Sequence, residues 1–318
     1  MNLESSCQWQ ESGYLWYPLS FALKREFGGP VRKVSLDAGF SCPNRDGTVG
    51  TGGCIYCDAT SFSPSRRCGL SSVTEQLTLG MALWRKRQGI DRFIAYFQPA
   101  TNTYGRPEYL EQVYRSVMDV PGVVGLAIGT RPDTLPDGTL DLLSELSREI
   151  WLSLEIGLQS SKDASLRWMN RGHDYATFVD AVRRARARNL RIGAHVILGL
   201  PGETPDDMNR TADRLAALEM DSLKLHNLYV VRNTPLADLW QRGEVQLQSC
   251  QEYARSAVDF LERIPEQVVI DRVSSQMSTQ FLLAPEWTSS RNAAKDAIER
   301  EFRRRKTRQG VHVRPVFD

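Results

Sequence analysis

The strongest constraint on the fold is an alternation. Residues 31–39, 92–98, 123–130, 151–157, 191–199 and 222–231 are short apolar runs rich in β-branched residues, and helical stretches separate them. Nearly continuous apolar runs of this length suit parallel strands covered on both faces. Helical periodicity fills residues 71–87, 107–119, 138–148, 175–188 and 205–219. The last of these has a legible start: Thr204 is a capping hydroxyl, Pro205 takes the first helical position, and Asp206 and Asp207 lie in the first turn. Repeated strand, helix and strand predict a parallel sheet with right-handed crossovers, either open and doubly wound or curled into a barrel.

The residues that follow each run bear on that choice. A cysteine loop follows the first, QPATNTYG the second, TRPDTL the third and GLPGET the fifth, while the fourth ends in LEIGLQSS. Function at the C-terminal ends of so many strands suits a curled sheet better than an open one. We therefore expect an α/β fold, a partial (β/α)6 barrel of TIM type over residues 31–248. Residues 1–30 are expected to pack on it, and 249–318 to form a small C-terminal α/β extension of helix, short strand (QVVIDRV) and basic terminal helix. Composition agrees with a globular chain, since 25% of the 318 residues are charged and 41% hydrophobic. The stretch YLWYPLSFAL follows acidic residues and is too short to span a bilayer, so a cytoplasmic location is expected.

Residues 41–57, SCPNRDGTVGTGGCIYC, place Cys42, Cys54 and Cys57 in a loop with four glycines and few apolar side chains. A disulfide would strand one thiol, and the expected compartment disfavours it. Structural zinc closes with four ligands, and Cys68 could add a fourth only across a long gap. A redox pair of the thioredoxin type would not need Cys42. An iron-sulfur cluster held by three thiolates leaves one iron open for chemistry, and the glycines let backbone N–H groups approach its sulfurs. Spacing favours the cluster and leaves zinc as an alternative. Cys7, Cys68 and Cys250 have no partner at ligand spacing and read as buried or free thiols; His173 and His226 read as isolated.

Cys42-x11-Cys54-x2-Cys57, with Tyr56 before the last cysteine, resembles the cluster loop of the radical S-adenosylmethionine (SAM) superfamily in the long-spaced form of its Elongator-like branch. SLDAGFSCPNRDG, GGCIYCD, FQPATNTYG, IGTRPDTL, LEIGLQS, MNRGHDY, HVILGLPGETPDDM and FLLAPEW together resemble the bacterial YhcC-type family of that branch, from about residue 14 to 310. The resemblance implies a radical SAM barrel and a [4Fe-4S] cluster on Cys42, Cys54 and Cys57. It further implies S-adenosyl-L-methionine on the open iron, cleaved reductively to a 5'-deoxyadenosyl radical, with an electron donor such as flavodoxin or ferredoxin. For SAM it points to Tyr56, Gln98, Thr101, Glu155, Gln159, Arg171, His195 and Gly199. Arg171 would meet the carboxylate, His195 the ribose, and Gly199 the adenine. At 98–101 the sequence reads QPAT where relatives carry a glycine-rich turn, so backbone contacts are expected there.

The substrate is less legible. Residues 291–308 hold eight Lys/Arg against three Asp/Glu, ending in Arg303, Arg304, Arg305, Lys306 and Arg308, and a second basic stretch covers 181–191. Such a stripe can neutralise phosphates, with Ala294, Ile298 and Phe302 docking the other face, although a run of charge is more often a solvated face. RNA, and tRNA in particular, is the expected partner. A small molecule or peptide substrate, or a non-catalytic metal-stabilised RNA-binding protein, are the alternatives.

Overall fold

A computed structural model describes residues 8–58, 61, 63, 69 and 72–313. Its centre is a seven-stranded, all-parallel sheet in the order β1-β2-β3-β4-β5-β6-β8. The strands are β1 Val31–Leu36, β2 Arg92–Phe97, β3 Val123–Thr130, β4 Trp151–Gln159, β5 Arg191–Leu198, β6 Ser222–Asn227 and β8 Val269–Arg272. A two-stranded antiparallel pair, β7 Val230–Val231 with β9 Leu282–Ala284, stands beside it. The expected parallel half-barrel is therefore present.

Two elements differ from the expectation. The short strand expected in the C-terminal extension joins the main sheet as its seventh member, pairing with β6. The run at 222–231 breaks into β6 and β7, because the chain leaves the sheet after Asn227 and Val230–Val231 pair with β9 instead. Both halves are apolar, so hydropathy gives no sign of the break.

Pleating sorts each strand between two surroundings. On β2, Phe93, Ala95 and Phe97 face the helices and join the main core, while Ile94 and Tyr96 point to the concave side. There they meet Leu23 of the helix Leu19–Phe27, which fills one end of the half-barrel. Burying a leucine of this kind contributes about 2 kcal/mol. Tyr17, just before that helix, accepts a backbone hydrogen bond from Ile270 of β8 at 2.8 Å. The terminal helix Ala293–Arg305 docks through Ala294, Ala297, Ile298 and Phe302, with Phe302 6.1 Å from the Trp16 ring.

The helix Pro205–Ala217 begins as its sequence indicates, with Thr204 and Asp207 forming a reciprocal capping box. Since every strand of the main sheet is parallel, all the loops at their C-terminal ends open on one side, and that is where the candidate site lies.

Candidate functional site

A cavity of about 600 Å³ occupies the concave side of the sheet and runs up to the loop after β1. Cys42, Cys54, Cys57, Tyr56, Gln98, Thr101, Glu155, Gln159, Arg171 and His195 all line it. Gly199 does not: its N–H points to Met208 Sδ at 3.4 Å, and a Cβ there would meet Gln248 Oε1 at 2.6 Å. Its φ of +82° marks the turn that follows β5. Cys250 is a half-buried free thiol at the start of the helix Cys250–Leu261. Cys7 and Cys68 lie outside the described residues.

The cysteine loop is held from below by a segment distant in sequence. Asn44, fully buried, donates to the Asn170 carbonyl at 2.6 Å and lies 3.6 Å from Cys54 Sγ. Asn170 Nδ2 in turn donates to the Gly53 carbonyl at 2.8 Å, and Ile55 N–H to that of Met169 at 3.1 Å. Gly47, Gly52 and Gly53 take positive φ, and a Cβ at Gly50 would strike Asn44 Oδ1 at 2.5 Å. The glycines are thus a steric requirement of the loop.

Arg171 sits beside the buried thiol. Its Nη1 lies 3.5 Å from Cys54 Sγ, and its Nη2 donates to the Gly157 carbonyl at 2.8 Å. Burial alone would raise the Cys54 pKa, but Arg171, by charge and hydrogen bond, and then Arg131 bring it below the usual thiol value. Cys57 goes the other way, pushed up to about 12 by burial and by the neighbouring Cys54. Thiols placed so close compete for ionisation, a conflict that a shared metal centre removes.

Among the described residues, no three His, Cys, Asp or Glu side chains are grouped to hold a single metal ion, as structural zinc requires. Three thiolates that each take a different iron escape that requirement. Around the same chamber Thr101 Oγ1, Arg131 Nη1 and Arg171 Nε are buried without a partner. Unpaired buried donors are costly, and a ligand bearing carboxylate and amino groups satisfies them. The residues present therefore fit both a three-thiolate cluster and a polar zwitterion beside it.

At the floor of the chamber lies a buried charge network that sequence reading missed. Glu155 accepts from Lys33 Nζ at 2.6 Å, from Lys224 Nζ, and from His195 Nε2 at 2.9 Å. Lys33 also reaches Asp271 at 2.6 Å, and Lys224 the Tyr96 hydroxyl at 2.9 Å. Burial would raise the Glu155 pKa, but Lys224 and Lys33 hold it well below the carboxylate range. Burial lowers His195 to about 4, with the Lys224 charge adding to the effect, so the ring is neutral at physiological pH. Both carboxylate oxygens of Glu155 are thus engaged by the protein itself. A partial signal was available: Lys224 stands between Leu223 and Leu225 on β6. His226, read as isolated, also lines the chamber, with its ring centroid 5.3 Å from that of His195.

Residues 46–215 match the family described as the Radical SAM superfamily, and residues 220–304 match the Radical_SAM C-terminal domain. The chain belongs to the radical SAM superfamily. It is 37% identical to protein YhcC of Escherichia coli K12 over 272 residues, 85% of this chain and 86% of that protein. It is 26% identical over 179 residues to a tRNA uridine(34) acetyltransferase of Dehalococcoides mccartyi, covering 55% of this chain and 38% of that one. In fold it resembles Methanocaldococcus infernus Elp3, with a TM-score of 0.70 and 16% identity, over 88% of this chain and 64% of that longer chain. Radical SAM enzymes carry a [4Fe-4S] cluster and SAM, and this chain is such an enzyme. No helix among the described residues is long and apolar enough to cross a membrane.

Proposed function

We propose that Cys42, Cys54 and Cys57 hold the [4Fe-4S] cluster and that SAM lies beside them, against Gln98, Thr101, Gln159 and Arg171. The observation that carries this reading is the convergence of the three thiols with the unpaired buried atoms of Thr101, Arg131 and Arg171 on one chamber wall. When bound, the pair supplies one-electron cleavage of SAM and a carbon radical that takes hydrogen from a substrate. The chain's own part is to fix the thiolates through Asn44 and Asn170, to balance their charge through Arg171 and Arg45, and to wall the chamber from bulk water. Tyr56 packs at the cysteines, where burial and the Cys54 charge keep its phenol protonated. The electron would come from a flavodoxin or ferredoxin type of donor.

The substrate we propose is tRNA, supported by kinship with the tRNA uridine(34) acetyltransferase. Acetyl transfer itself is not carried over, since the likeness spans only 38% of that protein. On the terminal helix, Arg303 and Arg304 remain outward, with side chains 68% exposed. Arg305 is turned inward to Asp259, Glu262 and Glu301, where its role is structural.

One observation favours a small-molecule or peptide substrate instead, because acids on the same surfaces pair with several residues of both basic stretches. Arg304 pairs with Glu301 at 2.7 Å, Arg186 with Asp221 at 3.0 Å and Arg188 with Asp141 at 2.6 Å. The more exposed of these, Arg186–Asp221 and Arg188–Asp141, are worth about 0–1 kcal/mol and yield readily to a phosphate. The test is a comparison of modified nucleosides in total tRNA from cells with and without the gene. A nucleoside that changes supports the tRNA reading; an unchanged profile transfers the case to the small-molecule or peptide reading.

A further inference from the structure

Arg272, at the end of β8, is a cation in the chamber wall with no counter-charge among the described residues. The cationic side chains lining the chamber are Arg45, Arg131, Arg171, Lys224 and Arg272, and the carboxylate among its described lining residues is Glu155. Four of the five cations are accounted for. Arg131 pairs with Asp133 at 2.8 Å and Lys224 with Glu155. Arg171 lies against Cys54, and Arg45 donates to the Cys57 carbonyl at 2.8 Å, so both balance the thiolate loop.

Arg272 makes no ion pair among the described residues. Its Nη2 donates to His226 Nδ1 at 2.9 Å, and its Nε is buried with no partner. His226 supplies no negative charge: burial first, and Arg272 second, hold it well below the histidine range, so the ring is neutral. Arg272 is partly buried, and its guanidinium, with Nε shut off from water and a neutral imidazole beside it, has lost part of its solvation without regaining it from an anion among the described residues. Its direction is nevertheless fixed. Ser275 Oγ stands 2.8 Å from the same His226 nitrogen, and Arg272 is registered beside Lys224 across β6 and β8. Gln276 and Gln280, in the segment after β8, line the chamber and add polar groups. Tyr229, Arg272 and Cys57 all line this one chamber, so the guanidinium and the cysteine loop face a common space.

We propose that Arg272, oriented by His226 and Ser275, anchors an oxyanionic group of the substrate, a carboxylate or a phosphate, inside the chamber. The planar fork of a guanidinium matches either group, and the low local dielectric strengthens the pair. This rests on reading the cavity as the reaction chamber. It adds that the substrate is an anion held from the β8 side, by residues separate from those proposed for SAM.

The experiment titrates inorganic phosphate and malonate calorimetrically into the anaerobically reconstituted full chain, as wild type, Arg272→Gln and Arg272→Lys, with SAM affinity measured on each. We expect the wild type to bind one of the two probes, Arg272→Gln to weaken that binding roughly tenfold or more, and Arg272→Lys to keep most of it. SAM affinity should be the same in all three. A preference for phosphate indicates a nucleotide-type substrate, and one for malonate a carboxylic acid. His226→Gln, which leaves the charge but loosens its aim, should weaken the same probe severalfold, and it serves if Arg272→Gln does not fold. The proposal is overturned if neither probe binds the wild type, if binding survives Arg272→Gln and His226→Gln unchanged, or if SAM affinity falls in step with probe affinity. A wild type that takes up no iron would defeat the cluster reading instead, and the anion titrations would still decide this one.

Discussion

Lys33 on β1 and Asp271 on β8 stand 2.6 Å apart, although their strands are the two ends of the sheet. The ion pair exists because the sheet is curled, and with Glu155 and Lys224 it ties the concave face together. Burial would lower the Lys33 pKa, but Asp271 and Glu155 outweigh it and leave it raised.

Removing one partner should therefore strand the others. Lys33→Met is expected to lower unfolding free energy by about 3 kcal/mol, read from urea denaturation. Lys33→Met combined with Asp271→Leu should recover part of that loss. If the single change costs nothing, the pair does not help to hold the curl.

Asn44 links the cysteine loop to Asn170, so Asn44→Ala should loosen the loop as well as the fold. The expected cost is about 1–3 kcal/mol in stability, together with a lower iron content per chain after reconstitution. Unchanged iron content at reduced stability would make the residue structural only.

Arg171 offers a charge to Cys54 that an amide cannot replace. Arg171→Gln is expected to bind iron less tightly, to shift the absorption of the bound centre and to weaken SAM binding, while Arg171→Lys keeps part of each. Equal behaviour of the two variants would show that charge is not the operative property.

Acid sensitivity follows from the network. The folded pKa of His195 lies at about 4, against 6.5 in the unfolded chain. The unfolded state binds the extra proton between those values, so the stability gained from a neutral His195 is whole above pH 6.5 and drains away as the pH falls toward 4. The amount is on the order of 3 kcal/mol. Glu155 acts lower, since its folded pKa is depressed; its contribution is present above the normal carboxylate value and is lost below it. His195→Gln should flatten the fall in urea midpoint between about pH 6.5 and about pH 4.5. A slope identical to wild type would place the acid sensitivity elsewhere.

Much of this architecture is legible in the sequence because parallel strands buried on both faces write themselves as apolar runs. Val123–Thr130 and Arg191–Leu198 were readable for that reason. The cysteine loop was legible through spacing and its glycines. What escaped reading depends on curvature. Lys33, Glu155, Lys224 and Asp271 lie on four strands, and only the closing of the sheet brings them together. His226 and Arg272 meet because β8 joins the sheet beside β6, a pairing that neither segment reveals by itself.

The most direct measurement is anaerobic reconstitution of the full chain with iron and sulfide, followed by SAM and a strong reductant, with wild type and Cys54→Ala compared. The account predicts about four irons per wild-type chain with release of methionine and 5'-deoxyadenosine, and loss of both in the variant. Wild-type protein that binds zinc in preference to iron, or that holds iron and leaves SAM intact, would contradict it.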